Sequence, residues 1–398
     1  MKILILSTKM PWPARDGGAI ATLNMALGFA HKNCQVTLLT MNTGKHYFPE
    51  SQLPANLREK ISIRSVNVDT KIRPLRLILN FLFSRYPYNA QRFISKPFNA
   101  ALEKCLEEQA FEIIQLEGPY LSSYIPCIKG KAKIVLRAHN QEHQIWKLLS
   151  KQERNPLKKF YLNSLAKRIT RLEQKILSEI DVLIPISETD RKGFDQLGHS
   201  LPVLVIPTGI DISKYPVNEQ ENRILLFFIG ALDWGPNQEG LDWFFREVWP
   251  EIQLKWPVLT LDLAGRNPAY YFNDRNLPDN VRLKGEVEDA VEFFHHHTVM
   301  IVPLLTGSGI RIKILEAMAM GKTVISTRIG AGGLEAIDGE HLYLADTPSE
   351  YVRILENLQT QEDHLQSVGL KARQFVMEKF DILALSEKLI SFYKEQLL

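Results

Sequence analysis

Short runs of valine, isoleucine and leucine recur along the whole chain, separated by stretches in which apolar residues return with a helical period. Runs that are apolar at every position predict strands of parallel sheets covered by helices on both faces. The predicted strands of the first half lie at 2–6, 35–39, 112–116, 132–137, 181–186 and 203–207. Those of the second half lie at 223–230, 259–265, 281–285, 298–303 and 323–327. The pattern predicts an α/β protein with two doubly wound parallel sheets.

The length of the chain also favours two domains, because 398 residues exceed what one hydrophobic core usually supports. The strand pattern places the domains at 1–210 and 211–398, and we expect a ligand in the cleft between the carboxyl ends of their strands. The last predicted helix, at about 382–397, has an apolar face that we expect to pack back on the first domain.

The chain begins with MKILILS, which has one lysine and leads directly into a loop that contains proline and glycine. We interpret it as a first strand and not as a signal peptide. No apolar run approaches about 18 residues, which argues against a membrane span. Three cysteines without metal-type spacing fit a reducing compartment. We therefore expect a cytoplasmic protein.

The net charge of +3 conceals a strong asymmetry. Lys and Arg number 30 against 17 Asp and Glu in residues 1–210, and 18 against 28 in residues 211–398, so the halves carry +13 and −10. Residues 71–102 contain six basic residues and no acidic one. Their apolar residues form one helix face, which either packs on the core or lies on an anionic membrane. Our hypothesis is that the first domain docks on the cytoplasmic face of a membrane.

A strand, a glycine loop and a helix are predicted around GSGIRIKILEAMAMGKTVIST, residues 307–327, with Gly321 ending the helix. A glycine loop before a helix exposes backbone N–H groups and the positive end of the helix dipole, which suits an anion. Arg311 and Lys313 stand at the same entrance. Glu316 is either an ordinary helix glutamate or a ligand for ribose hydroxyls. A ligand with both phosphates and a diol would need all of these groups.

The loop after the first strand, PWPARDGGAIATL at residues 11–23, is not a G-x-G-x-x-G dinucleotide fingerprint. Gly17 and Gly18 still permit close approach of the backbone to a phosphate or a sugar, although a plain strand-to-helix turn has the same residues. Asp16 beside them either has a functional role or is only the N-cap of the helix.

Polar residues crowd the end of the strand in LRAHNQEHQ, residues 136–144. A histidine at the carboxyl end of a parallel strand lies where such folds bind ligands, so we expect His139 to be functional. The successive histidines at 295–297 point in different directions on a helix and are poorly placed to chelate one ion. No Asp-x-Asp pair suited to a nucleotide-bound Mg²⁺ stands out. We predict no metal site.

The sequence resembles the family 4 glycosyltransferases, retaining enzymes of the GT-B fold, over essentially its whole length. The resemblance rests on GGAIATLNMALGFAHKNCQVTLLT, LRAHNQEH, VLIPISETD, VIPTGID, FIGALDWGPNQEGLDWFFREVWP and GSGIRIKILEAMAMGKTVIST. It implies two Rossmann-like domains facing across a cleft. It also implies a nucleotide-sugar donor held mainly by the second domain and an acceptor held mainly by the first.

The same resemblance assigns roles to individual residues. Glu316 matches the family's glutamate that binds the donor ribose, and His139 looks like the first-domain histidine that contacts the donor sugar. Gly17 and Gly18 match the glycine loop beside the donor phosphates. We assign His139 and Asp16 to the catalytic group.

Two departures from the family pattern concern the donor site. Ser308 stands where the family often has a glutamate that touches the donor sugar. The arginine and lysine that usually follow the first strand of the second domain are absent, and GALDWGPNQEG offers Asn237 and backbone groups instead. Arg311 and Lys313 would supply the missing positive charge, and Gly309 completes the predicted donor site.

We therefore expect a metal-independent glycosyltransferase, without a cofactor, that moves a sugar with retention from a nucleoside-diphosphate sugar to an acceptor hydroxyl. Cell-envelope or exopolysaccharide synthesis would supply a glycan or lipid-linked acceptor, and no nucleic-acid partner is expected. Two alternatives stay open: a non-hydrolysing sugar-nucleotide epimerase, and a degenerate nucleotide-sugar-binding module without turnover. A dehydrogenase is a distant fourth for lack of the dinucleotide fingerprint.

Overall fold

The computed structural model describes residues 1–14, 16–217, 223–272, 276–307, 309–360 and 364–398. The chain divides into two units, the first made of Met1–Gly209 and Ile382–Leu398, the second of Ile210–Asp381. Each unit is built on one six-stranded sheet in which every strand pair is parallel. The predicted α/β fold with two parallel sheets is confirmed.

The strands of the first unit are β1 (Lys2–Ser7), β2 (Gln35–Thr43), β3 (Ser62–Val68), β4 (Ile113–Glu117), β5 (Lys133–Ala138) and β6 (Val182–Pro185). Those of the second unit are β7 (Leu226–Ile229), β8 (Leu261–Ala264), β9 (Val281–Gly285), β10 (Val299–Val302), β11 (Thr323–Ser326) and β12 (Tyr343–Leu344). The strand orders are β3-β2-β1-β4-β5-β6 and β12-β11-β10-β7-β8-β9. Both sheets are doubly wound, because the order reverses beside β1 in the first and between β10 and β7 in the second.

The helices of the first unit are α1 (Gly17–His31), α2 (Ala55–Lys60), α3 (Pro74–Phe83), α4 (Tyr88–Gln91), α5 (Lys96–Glu108), α6 (Ile125–Ile128), α7 (Glu142–Gln152), α8 (Pro156–Leu177), α9 (Glu188–Asp195) and α17 (Ile382–Gln396). Those of the second unit are α10 (Gly235–Trp243), α11 (Trp249–Lys255), α12 (Pro268–Phe272), α13 (Ala290–His295), α14 (Ile312–Ala319), α15 (Pro348–Thr360) and α16 (His364–Phe380). A π-helical segment, Phe244–Val248, joins α10 to α11.

Strand β1 shows why a run that is apolar at every position forms a central strand. Ile3 and Ile5 point to one face of the sheet and pack in the same core as residues of α1 and α17. Leu4 and Leu6 point to the other face and pack with residues of α5 and α8. All four side chains are fully buried, as a central strand between two helical layers requires.

The terminal helix α17 belongs to the first unit and packs against α1. The rings of Phe29 and Tyr393 lie 6.3 Å apart between centroids. A Cβ at Gly28 would lie 2.1 Å from Oγ of Ser386, so the close approach of the two helices requires glycine at this position.

The predicted strand at 203–207 is wrong, and the reason is a proline in its neighbour. The segment runs beside β6 and donates two backbone hydrogen bonds to it, from Leu204 N to Leu183 O and from Ile206 N to Pro185 O. Pro185 has no N–H to return a bond, so only the isolated bridge between Leu183 and Val203 remains.

The other predicted strands are present within a few residues of their expected bounds, and two strands were not predicted. Strand β3 is an edge strand with only two buried residues, and β12 has only two residues. Neither has the continuous apolar run that identified the rest. Among the described residues, no helix is long and apolar enough to cross a membrane.

Candidate active site

The loop between β10 and α14 turns sharply before the helix begins. Gly307 and Gly309 have φ angles of 116° and 81°, in the left-handed region that favours glycine. A Cβ at Gly307 would lie 2.5 Å from Nη2 of Arg311. Ser308, predicted to contact a donor, lies outside the described residues. The predicted succession of strand, glycine loop and helix is confirmed, and glycine lets the loop approach the helix entrance closely.

Two half-buried cations, Arg311 and Lys313, lie at this entrance. Burial and, as the smaller cause, the positive charge of Arg311 together lower the pKa of Lys313 to about 7. The ammonium of Lys313 lies 4.2 Å from the centroid of the Phe228 ring, and the guanidinium of Arg311 lies 5.6 Å from that of Trp234. Burial also lowers the pKa of Arg311. Two partly desolvated cations beside a helix N-terminus favour the binding of an anion.

Asn237 joins the loop after β7 to α14. Its Nδ2 donates to the carbonyl of Ala231 at 2.8 Å, and its Oδ1 accepts from Nζ of Lys313 at 3.3 Å. A Cβ at Gly230 would lie 3.0 Å from the Asn237 amide nitrogen and 3.2 Å from Nζ of Lys313, so the backbone passes close to both. The structure therefore brings Asn237, Arg311 and Lys313 together, and Asn237 orients the lysine.

Glu316 lies one turn further along α14. Its Oε1 accepts a hydrogen bond from the hydroxyl of Tyr215 at 2.8 Å, and the carbonyl of Tyr215 accepts one from Arg373 at 2.8 Å. Burial raises the pKa of Glu316, and the Tyr215 hydrogen bond opposes the rise. Tyr215 has no signal in the sequence, since it stands 101 residues before its partner.

Asp16 is the N-cap of α1 in the first unit. Its carboxylate accepts from the backbone N–H of Ala19 at 3.0 Å and pairs with Nζ of Lys9 at 2.5 Å. Burial would raise the pKa of Asp16, but Lys9 and the capping bond outweigh it and lower the pKa. The N-cap interpretation is confirmed, and a part in catalysis stays a prediction. Gly17 begins the helix, and a Cβ there would meet no atom within 4 Å. The backbone at this turn is therefore accessible to solvent.

His139 directly follows β5, at the strand end that the sequence predicted. Its Nε2 lies 2.6 Å from Oε2 of Glu117, the last residue of β4. The same oxygen accepts from Thr22 of α1 at 3.0 Å and from Nη1 of Arg137 at 3.2 Å. One carboxylate therefore links His139 to the helix that begins with the glycine loop.

Glu117 is held as an anion inside the sheet. Burial alone would raise its pKa, but Arg137 and His139, with a hydrogen bond from Gln115 at 2.5 Å, lower the pKa to about 2. The hydroxyl of Tyr393, on the terminal helix, donates to Oε1 of Gln115 at 2.9 Å. The position of His139 thus depends on a network that extends to the last helix.

Two other polar residues after this strand, Glu142 and His143, make contacts that do not involve Glu117 or His139. Nδ1 of His143 lies 2.6 Å from Oε2 of the buried Glu173 on α8. Glu142 accepts from the hydroxyl of Tyr120 at 2.7 Å, and burial raises the pKa of Glu142. These contacts fasten the first turn of α7 to its neighbours.

Two histidines of the run at 295–297 have ordinary structural contacts. His297 is buried, with its Nε2 3.2 Å from Oδ2 of Asp262, and His296 lies beside Glu292 at 3.0 Å. Within the described ranges, no three His, Cys, Asp or Glu side chains are grouped so that they could hold a metal ion.

Comparison with known proteins identifies the family of the chain. Residues 15–214 match the family described as Glycosyltransferase Family 4, and residues 223–361 match Glycosyl transferases group 1. An uncharacterized 44.6 kDa protein in the cps region of Klebsiella pneumoniae is 24% identical over 394 residues, 96% of each chain.

Solved structures share the fold at low sequence identity. HepE of Anabaena, in complex with UDP, has a TM-score of 0.68 at 14% identity, covering 99% of this chain and 100% of that one. Sucrose-phosphate synthase from Thermosynechococcus elongatus has a TM-score of 0.69 at 15% identity, covering 99% of both. The predicted GT-B fold is thereby confirmed, and since the family match spans half of the chain, this protein belongs to the family 4 glycosyltransferases.

Proposed function

We propose that this chain transfers a glycosyl group, with retention, from a nucleoside-diphosphate sugar to an acceptor hydroxyl. The observation that carries the proposal is the entrance of α14, where Arg311 and Lys313 stand beside a glycine loop and a helix N-terminus. Such a group of donors and cations suits a diphosphate. HepE, with the same fold, was crystallised in complex with UDP, which supports a nucleotide ligand of this class.

In this proposal the protein accelerates the reaction mostly by positioning the substrates and by electrostatic stabilisation. The bond between the anomeric carbon and the diphosphate breaks, and a bond from that carbon to the acceptor oxygen forms. The acceptor proton passes to the leaving phosphate in this proposal. Arg311, Lys313 and backbone N–H groups stabilise the charge that develops on the diphosphate, Glu316 binds the ribose hydroxyls, and His139 contacts the sugar.

The proposed acceptor is a glycan or lipid-linked sugar of the cell envelope or of an exopolysaccharide. Two observations support it: the relative from a cps region, and the charge of +13 on residues 1–210. A basic first unit would be attracted to the anionic cytoplasmic face of a membrane, where a lipid-linked acceptor lies.

A panel of nucleotide sugars tests the function directly. The true donor is expected to raise the melting temperature by mass action and to yield free nucleoside diphosphate only when an acceptor is present. Conversion of the nucleotide sugar into an isomer without an acceptor would instead indicate the epimerase. Stabilisation without any turnover across the donors and acceptors tried would indicate a binding module.

The same assay tests metal independence, which we propose because protein cations take the place of a diphosphate-bound Mg²⁺. EDTA is expected to leave the rate unchanged. An activity lost in EDTA and restored by Mg²⁺ or Mn²⁺ contradicts this part of the proposal alone.

With UDP as the probe for the proposed nucleoside diphosphate, affinity is expected to fall as the pH rises through about 7, by up to about tenfold per pH unit. The lowered pKa of Lys313 means that the free protein loses this charge above about pH 7. Bound diphosphate favours the charged lysine, so binding above that pH must take up a proton. Calorimetry from about pH 7 to 9 measures the slope. Lys313→Met should flatten it, and Lys214→Met, at an exposed lysine of the same unit, should not.

A further inference from the structure

Helix α3 presents its apolar side chains to solvent instead of to the core. Leu75, Leu82 and Phe83 are 70%, 63% and 83% exposed, and Asn80 is the buried residue of the helix. This excludes the interpretation in which the face packs on the core. An apolar helix face left in water within an otherwise well-packed unit marks an interaction surface.

The apolar surface continues onto the start of α8. Phe81 of α3 contacts Phe160 edge to face, with ring centroids 6.1 Å apart, and Phe160 is itself largely exposed. Leu157, one turn before it, is 81% exposed. The guanidinium of Arg168 donates to the carbonyl of Phe81 at 2.7 Å and so fixes α3 beside α8. We call the exposed residues Leu75, Leu79, Leu82, Phe83, Leu157 and Phe160 the apolar face.

A cationic cavity lies on the α4 side of this face. It has a volume of about 630 Å³ and is lined by Lys71, Arg73, Arg76 and Arg92. Asp69 is the acidic residue in its lining, and it is paired with Arg73 at 2.8 Å. Leu79 and Phe83, two members of the apolar face, also line it. An anion and a hydrocarbon chain would therefore find partners next to each other.

A second cationic cavity lies between helix α8 and the loop that follows α3. Its volume is about 600 Å³, and Arg85, Arg168, Arg171 and Lys175 line it with no acidic residue beside them. It shares no residue with the first cavity. The first cavity is lined in part by the apolar face, and the second is tied to α3 by Arg85, two residues after Phe83, and by Arg168, which bonds the carbonyl of Phe81.

We infer that the apolar face and its two cationic cavities are a docking surface for a bilayer of anionic phospholipids. The apolar side chains enter the boundary between headgroups and acyl chains, while lipid phosphates occupy the cavities. A soluble acidic partner would match the cations but leave the hydrocarbon surface unexplained. The inference rests on the proposed function in one respect: it places the enzyme where a lipid-linked acceptor is found.

Sedimentation with vesicles of phosphatidylcholine, with or without phosphatidylglycerol, tests the inference on the full chain. Wild type is expected to sediment with the anionic vesicles. Arg76→Gln with Arg171→Gln, one change in each cavity, should weaken partitioning about 10- to 30-fold. Leu82→Ser with Phe83→Ser should weaken it about tenfold or more. Lys129→Gln with Lys131→Gln, exposed lysines in a different cavity that also contains acidic residues, should behave as wild type.

Equal sedimentation of wild type and both surface variants, or no preference for anionic vesicles, overturns the inference. So does a dimer in vesicle-free ultracentrifugation that Leu82→Ser with Phe83→Ser dissociates while lipid has no effect, since a second copy would then cover the face. Thermal stabilisation by UDP is measured on the same samples. Stabilisation without vesicle binding refutes only the docking surface, and vesicle binding with no nucleotide ligand refutes only the proposed function.

Discussion

Glu316→Ala is expected to weaken binding of UDP by about 1.5–3 kcal/mol, or roughly 10- to 150-fold in Kd. In the structure one carboxylate oxygen of Glu316 accepts from Tyr215, and the carboxylate stands on the same helix as the cations proposed to bind the diphosphate. A ribose diol would donate to this carboxylate, and hydrogen bonds to a charged group are worth this much. Calorimetry with UDP measures the loss directly.

The pH dependence gives the Glu316 prediction a second readout. Burial raises the pKa of the carboxyl, so it protonates at a higher pH than an ordinary glutamate and then accepts hydroxyls poorly. UDP affinity should therefore fall as the pH drops through that raised pKa, and Glu316→Ala should remove the fall. Tyr215→Phe is the matched control, because it removes the hydrogen-bond partner and keeps the carboxylate. Unchanged UDP affinity in Glu316→Ala excludes the ribose contact.

The fold was predictable because buried parallel strands leave a strong local signal. Strands β1 and β10 are apolar at nearly every position, and Gly321, with φ of 71°, ends α14 as its position in the sequence indicated. Residues 203–207 have the same apolar character, yet they fail to form a strand because the partner strand contains Pro185. Whether residues 203–207 form a strand depends on Pro185 of the neighbouring strand β6, and the local sequence of the segment does not contain that information.

The candidate site was predictable in part for the same reason. Arg311 and Lys313 stand beside their own glycine loop, so their proximity follows from the helix entrance alone. Glu117 and Tyr393 stand far apart in sequence and meet through Gln115 only after the sheet and the last helix have packed. Polar residues at the end of the otherwise apolar strand β4 were the available signal for Glu117.

Glu117→Gln is expected to lower kcat by about 10²-fold while leaving UDP affinity unchanged, because His139 loses the carboxylate that holds its ring in place. The single change also leaves Arg137 buried without a counter-charge, which should destabilise the fold by about 3–5 kcal/mol. Replacing both members of the pair, Glu117→Gln with Arg137→Met, removes that penalty. Steady-state kinetics and thermal melts of both variants separate the loss of activity from the loss of stability.

The decisive comparison is with a second histidine–glutamate pair at the same separation. His143 and Glu173 also approach to 2.6 Å, in the same unit, but at the first turn of α7. Glu173→Gln should therefore lower the melting temperature and leave kcat close to wild type. The charge-balanced double variant should do the opposite, folding normally and turning over slowly. A double variant with wild-type kcat would show that the carboxylate of Glu117 serves only the packing of the sheet, and that His139 needs no such partner.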